Sequence, residues 1–176
     1  MEYDLAGGLF PVPRVPNDYV ASRWSQRLLE EHSETKFNSF RFEIDANVFP
    51  CLGNLDGCRR LMGDISGRPS FLPNSTILVA HHDHQTGDVD YCGTIQAIRD
   101  PQNRGSIQNI GVTPGHRGYR IGTWLIHHAF RGFITEGIQL ATLEVTAQNT
   151  KALRLYERLG FQITRTVFKA VEVAFA

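Results

Sequence analysis

Arg117-Gly118-Tyr119-Arg120-Ile121-Gly122 stands where a β-rich run, Ser106 to Val112, passes through Thr113-Pro114-Gly115-His116 into a stretch with helical periodicity. A helix opening behind such a loop has first-turn N–H groups with no partner inside the helix, and they point outward at the positive end of its dipole. Amides arranged this way seat phosphates. Gly118 and Gly122 permit close backbone approach, and Arg117 and Arg120 add positive charge. The loop lacks the Lys-Ser/Thr ending of a nucleoside-triphosphate P-loop and is not Gly-x-Gly-x-x-Gly, which disfavours an NTPase. An ordinary strand–helix turn with solvated arginines is the alternative reading.

A second group lies downstream: Leu143-Glu144-Val145, Asn149, Ala152, Leu155-Tyr156 and Gly160-Phe161. With the loop, it resembles the GNAT superfamily of N-acetyltransferases, whose members move an acetyl group from acetyl-CoA to an amine. That family's loop reads Gln/Arg-x-x-Gly-x-Gly/Ala, and its later motif reads Asn-x-x-Ala-x-x-Leu-Tyr-x-x-x-Gly-Phe. Asn149 through Phe161 matches the later motif at every position. The loop departs once, with Arg120 where the family usually has glycine. A side chain there either crowds the diphosphate, if the backbone needs a positive φ, or swings out and pairs with a phosphate. The second outcome is expected, because Gly118 and Gly122 remain.

The resemblance spans residues 76–173 and implies a fold, a cofactor and a set of roles. The fold is an α+β, GNAT-like mixed sheet, mostly antiparallel, with flanking helices. Two of its strands part, and the pantetheine arm of acetyl-CoA lies between them against the backbone of Ile110, Gly111 and Val112. The diphosphate sits on Arg117, Gly118, Tyr119, Arg120, Ile121 and Gly122. Asn149 contacts pantetheine or caps the next helix. Tyr156 is the implied general acid: a thiol has a pKa of about 8.5 and a tyrosine about 10, so a phenol still carries its proton at neutral pH. Glu144 is the implied base, in an arrangement similar to acetyltransferases acting on ribosomal-protein N-termini; a solvated strand residue is the alternative. Asn109 is a second polar candidate in the cleft, able to fix a water or orient the amine. No cysteine falls in the recognisable site, which implies direct attack by the amine in a ternary complex. A larger acyl group, or a noncatalytic CoA-sensing or protein-interaction domain, stays open. The acceptor is a protein N-terminus, a lysine, a polyamine or an aminoglycoside-like molecule.

Other reactive side chains form weaker patterns. Glu43 and Asp45 lie in an aromatic stretch, Phe37 to Phe49, and are noted as substrate contacts. His81-His82-Asp83-His84 suggests a metal at first sight, but adjacent histidines on a hairpin turn point apart, so a solvated turn is expected and no metal. His116 reads as a turn residue or an extra phosphate donor.

These residues need elements to hold them. A short strand is expected near residues 2–6, followed by an arm broken by Gly7-Gly8 and three prolines. Asn17-Asp18 suggests a helix cap, with Tyr19, Val20, Trp24, Leu28 and Leu29 spaced as a helix to His32. A second helix covers Leu55 to Ile65. Thr76–Ala80 and Tyr91–Ile98 form a hairpin around a polar turn, His81 to Asp90. The third strand ends at Pro114-Gly115, and a helix runs from Ile121 to Glu136. A strand over Leu140–Val145, a helix over Thr150–Leu159 closed by Gly160, and a last strand over Phe161–Val173 complete the chain. That last strand offers an edge that could pair with a second copy in a homodimer.

The 176 residues, 41% hydrophobic and 20% charged, suit one globular domain, residues 1–176, with 1–70 its divergent N-terminal part. The composition excludes a collagen, a mucin and a polybasic nucleic-acid binder. No run approaches the roughly 18 apolar residues of a membrane helix. Zero net charge hides an acidic first half and a basic, arginine-rich second half, which suits an amine entrance on one side and an anionic cofactor on the other. Cys51, Cys58 and Cys92, an odd number, and the absence of a visible export signal point to a reduced, cytoplasmic setting.

Overall fold

The computed structural model describes residues 1–168. Six strands, β1 (Glu2–Asp4), β2 (Tyr19–Arg23), β3 (Ile77–His82), β4 (Val89–Arg99), β5 (Gly105–Val112) and β6 (Leu140–Leu143), form one sheet in the order β1-β6-β5-β4-β3-β2. Every neighbouring pair is antiparallel except β5 and β6. Five α-helices accompany them: α1 (Leu29–Phe40), α2 (Asp45–Val48), α3 (Leu55–Ser66), α4 (Ile121–Thr135) and α5 (Thr150–Leu159).

Side chains alternate across the sheet, and the two faces bury different chemistry. On the α4 face, Ile95 and Ile107 join Leu125, Ile126, Phe130 and Phe133 in an apolar core that reaches Tyr3, Tyr156 and Phe161. On the α1 face buried polar side chains sit among apolar ones such as Leu78 and Met62. His32 Nδ1 lies 2.8 Å from Thr94 Oγ1, and Lys36 Nζ donates to Gln96 Oε1 at 3.0 Å.

The parallel pair positions the site. Only Gly105, Ser106 and Ile107 of β5 pair with β6, opposite Ala141, Thr142 and Leu143. Beyond Ile107 the strands part. At the same point the β4–β5 register slips: Gln96 faces Asn109 while Ala97 faces Ile107, so Gln108 is the extra residue of a bulge. Bulges bend a strand and re-aim its side chains.

The N-terminal part departs from its sequence pattern. The expected helix from Asp18 to His32 is instead β2, a 3-10 turn over Gln26–Leu28, and the start of α1. Its helical spacing gives way to pairing with β3, in which Tyr19 faces His81 and Arg23 faces Ile77. The aromatic stretch is helical at both ends, in α1 to Phe40 and in α2. His81 and His82 belong to β3, and the turn falls on 83–88. Helix α4 stops at Thr135, and β6 ends two residues before Val145. The expected final strand is reduced to one bridge, Gln162 to Glu2, and residues 163–168 lie outside any strand; its remainder, 169–173, is outside the described residues. The edge beside β6 is taken by β1, which pairs with it through Tyr3 and Ala141. Helices α3 and α5 follow expectation almost residue for residue, because each carries its own cap. Asn54 accepts from the Gly57 N–H at 2.7 Å and Asn149 from the Ala152 N–H at 3.2 Å.

Candidate active site

A cavity of about 800 Å³ opens where β5 and β6 part. Its walls are Ile110, Gly111 and Val112 of β5, the loop leading into α4, the inner side of α5, the end of α1 and the arm residues Phe10 to Pro13. Val112 turns toward α4, where its Cγ2 lies 3.9 Å from the position a Cβ on Gly122 would take. Gly111 turns toward α1: a Cβ there would stand 2.6 Å from Ser39 Cβ. This glycine is required by the close approach of α1.

The loop meets α4 in an unusual conformation. Gly118 has φ 90°, and Arg120, at the helix N-cap, has φ 64° and ψ 14°. The left-handed backbone that explains a glycine is thus present, with an arginine in it. No side chain caps α4 and its first turn holds no acid, so its outward amides and positive dipole end face the cavity unopposed. Gly118, Arg120, Ile121 and Gly122 line the cavity, and Lys151 and Arg158 add cations from α5. Tyr119 is half exposed and lies outside the lining, with its ring 5.9 Å from that of Tyr19.

Arg117 is spent within the chain. Its Nε donates to Val112 O at 3.0 Å, one terminal nitrogen to Glu43 Oε1 at 2.7 Å and the other to Ser39 O at 3.1 Å. The guanidinium therefore clamps the end of α1 to the loop. His116, next to it, lies 2.8 Å from the Tyr19 hydroxyl through Nδ1 and 2.9 Å from Asp90 through Nε2, which pins the loop to β2 and β4. His81 pairs with Asp18 at 2.8 Å. Among the described residues no group of histidine, cysteine or acid side chains is arranged to hold a metal.

Asp45 closes the other side. Its carboxylate accepts from Thr146 Oγ1 at 2.5 Å and from Asn149 Nδ2 at 2.9 Å, while Asn149 Oδ1 caps α5. Asn149 thus fills the capping role and ties α2 to the β6–α5 connection. Tyr156 projects from α5 into the cavity wall, buried and edge-on to Phe161 at 5.6 Å. Burial, and secondarily the nearby Asp45 carboxylate, push its phenol above the ordinary tyrosine range. Glu144 lies one residue past β6, exposed, near enough to the Met1 ammonium to favour that charge. Neither Glu144 nor Asn109 is part of the cavity lining, whereas Glu43 and Asp45 both are. Ser39, Phe40 and the Phe10–Pro13 arm carry no motif, and only the placement of α1 and the arm beside β5 brings them to the site.

A family model described as "Acetyltransferase (GNAT) family" matches residues 26–161. The streptothricin acetyltransferase of Streptomyces lavendulae is 43% identical over 56 residues, 32% of this chain and 30% of the relative. The chain spans about a third of the length of the curated relatives it matches first. Among solved structures, an aminoglycoside N-acetyltransferase, AAC(6')-Iy, in complex with CoA superposes with a TM-score of 0.66 at 16% identity, over 93% of this chain and 100% of that one. The ribosomal-protein-S18-alanine N-acetyltransferase of Escherichia coli gives 0.56 at 17% identity, over 82% and 77%. The fold is shared with both, and the chain belongs to the GNAT acetyltransferase family.

Proposed function

We propose that this chain transfers the acetyl group of acetyl-CoA to a primary amine by direct attack while both substrates are bound. One observation carries the reading: the uncapped, acid-free N-terminus of α4 and the buried phenol of Tyr156 open on the same cavity. An anion-seating helix end and a proton donor, joined by an opened strand pair, are what a phosphate-bearing thioester requires. Beyond Ile107, the edge of β5 that faces away from β4 has no β6 partner, so backbone groups at Ile110 and Gly111 are open to the amides of pantetheine, joined by the Val112 carbonyl once Arg117 Nε leaves it. The diphosphate takes the α4 amides and Arg120, with Arg117 following once Glu43 yields. Asn149 meets the pantetheine from the opposite wall.

The amine arrives as an ammonium ion and must lose a proton before its lone pair can attack. Asp45 lines the cavity with Tyr156 and is held only by neutral donors, which makes it the better-placed acceptor of that proton; Glu144, one residue past β6, is the second candidate. Attack forms the C–N bond, the tetrahedral intermediate collapses with cleavage of C–S, and Tyr156 protonates the departing thiolate. The proton remaining on the new ammonium passes to the phenolate and restores Tyr156. None of the three cysteines is among the lining residues, which favours direct transfer over an acyl-enzyme. The acidic pair Glu43 and Asp45 suits a cationic acceptor, whether a protein N-terminus, a lysine, a polyamine or an aminoglycoside-like amine. Three free thiols suit the cytoplasm.

The test is calorimetric titration with CoA and acetyl-CoA, followed by thiol release in the presence of a panel of amines. Binding with amine-dependent thiol release supports the reading. No heat with either form of CoA overturns it. Binding without turnover identifies a CoA-sensing domain, and faster turnover of longer acyl-CoAs identifies a larger acyl donor.

A further inference from the structure

Helix α4 carries a polar stripe away from the candidate active site. His128, Arg131, Gly132 and Thr135 recur at three- and four-residue spacing in its second half, so they share one face. That face meets β2 and a 3-10 turn, Pro73–Ser75, just before β3. Gly132 permits the approach: a Cβ there would collide with Ser75 Oγ and the Asn74 carbonyl. Between the three elements lies a second cavity, of about 220 Å³, whose walls are the α4 stripe, Arg23 and Ala21 of β2, Asn74 and Ile77. None of these residues lines the larger cavity.

The charge of this recess is one-sided. Arg23, at the end of β2 opposite Ile77, and Arg131, on α4, enter from different walls. Among the described residues neither guanidinium has a carboxylate or any other hydrogen-bond acceptor. Half-buried His128 stands with them and likewise makes no hydrogen bond among the described residues. Burial first, and then His127, Arg131 and Arg23, push its imidazole below the ordinary histidine value, so both arginines act on it. Glu136 touches the lining by accepting from Asn74 Nδ2 at 3.3 Å, but its charge is met by Arg99, also at 3.3 Å. Cations gathered in a concavity repel one another until an anion enters. Guanidinium forks match the oxygens of phosphate, and charge-assisted bonds of that kind are the strong ones.

We propose that this recess is a second binding site, for the phosphate dianion of inorganic phosphate or of a small phosphomonoester, with Arg23, Arg131 and His128 as its donors. Size limits the ligand. At about 30 Å³ per water the space equals about seven waters, room for a phosphoryl group and a few further atoms but not for a whole CoA. The exposed arginines leave the way in open. The site does not depend on the acetyl-transfer reading, since it shares no residue with the cavity that carries it.

The experiment is an NMR titration with sodium phosphate, set against sodium chloride at matched ionic strength. The His128 ring resonances should shift saturably with phosphate and not with chloride. Arg23→Gln and Arg131→Gln should each weaken phosphate binding by about tenfold, and because both side chains are exposed the core stays intact. Arg120→Gly should leave it within about twofold, which separates this recess from the N-terminus of α4. Glycerol 3-phosphate binding more tightly than inorganic phosphate would identify a monoester as the ligand, and equal binding would identify the free ion; both outcomes support the site. Shifts reproduced by chloride, or no saturation by about 50 mM phosphate, overturn the proposal. So does binding that survives both glutamine variants and is lost in Arg120→Gly, which would place the anion at the loop before α4 and leave the proposed function standing.

Discussion

Glu43 Oε1 lies 2.7 Å from the Arg117 guanidinium, so an acid of the α1–α2 segment holds a cation of the loop that leads into α4. Two residues on, Asp45 holds Thr146 and Asn149 on the opposite wall. A short segment thus engages donors on both sides of the cavity. On the proposed function Glu43 and a cofactor diphosphate compete for Arg117, and Glu43→Gln should tighten CoA binding. Both partners of the ion pair are partly exposed, so the pair is worth only about 0.2–1 kcal/mol and the gain should be about two- to fivefold. Calorimetry at low salt measures it, and at about 0.5 M salt screening should erase most of the difference. Weaker binding by the variant would mean that Glu43 organises Arg117 for the phosphate.

Tyr156→Phe isolates the phenol. The ring keeps its contact with Phe161 and its place in the core, so the thermal midpoint should change little. Turnover should fall by about 10²- to 10⁴-fold, the usual weight of a general acid, with the CoA Kd unchanged. The direction of the phenol's shift adds a pH statement. Burial holds it above the ordinary value of about 10, so it keeps its proton, and the wild type should show no alkaline loss from Tyr156 below about pH 10. Equal rates for Tyr156→Phe and wild type would remove Tyr156 from the proton path.

Arg120 carries two opposing effects. Its φ of 64° costs a non-glycine residue about 1–2 kcal/mol, part of which a glycine recovers and part of which it loses to unfolded-state entropy. Arg120→Gly should therefore be neutral to slightly more stable, by up to about 1 kcal/mol in a denaturant melt. The same change removes a cation beside the α4 amides, and CoA should bind about three- to tenfold more weakly. A variant that gained CoA affinity would show that the side chain crowds the diphosphate.

Legibility tracks the range of the interactions. Helix α5 could be read from Asn149 and Gly160 because its caps are local, and the β5-loop-α4 junction announced itself through its glycines and its break in periodicity. Strand β2 could not be read: Tyr19 to Arg23 fits a helix locally and becomes a strand only because β3, more than fifty residues on, supplies its partners. The same holds for the site. Tyr156 and Asn149 were visible through a motif that fixes their spacing. The engagement of Arg117 by Glu43, of Asn149 by Asp45 and of Gln96 by Lys36 joins residues 60 to 104 positions apart, and no periodicity encodes it.

Lys36 makes a last prediction about stability. In the unfolded chain a lysine titrates near 10.4, and in the folded protein Lys36 titrates at about 7. Between those values the unfolded state binds the additional proton, so unfolding free energy rises as pH increases across that window. Below about pH 7 both states are protonated and the full cost of the buried charge is present; above about pH 10 neither is, and the cost is gone. Urea melts of the wild type should therefore show stability climbing from about pH 7 toward pH 9.5, against the decline that other groups cause on the alkaline side. Lys36→Met lacks the titration, so the difference between variant and wild type should be largest near neutral pH, with the variant ahead, and should shrink as pH rises. A difference that stays constant across that range would mean that Lys36 keeps its ordinary affinity for the proton despite its burial.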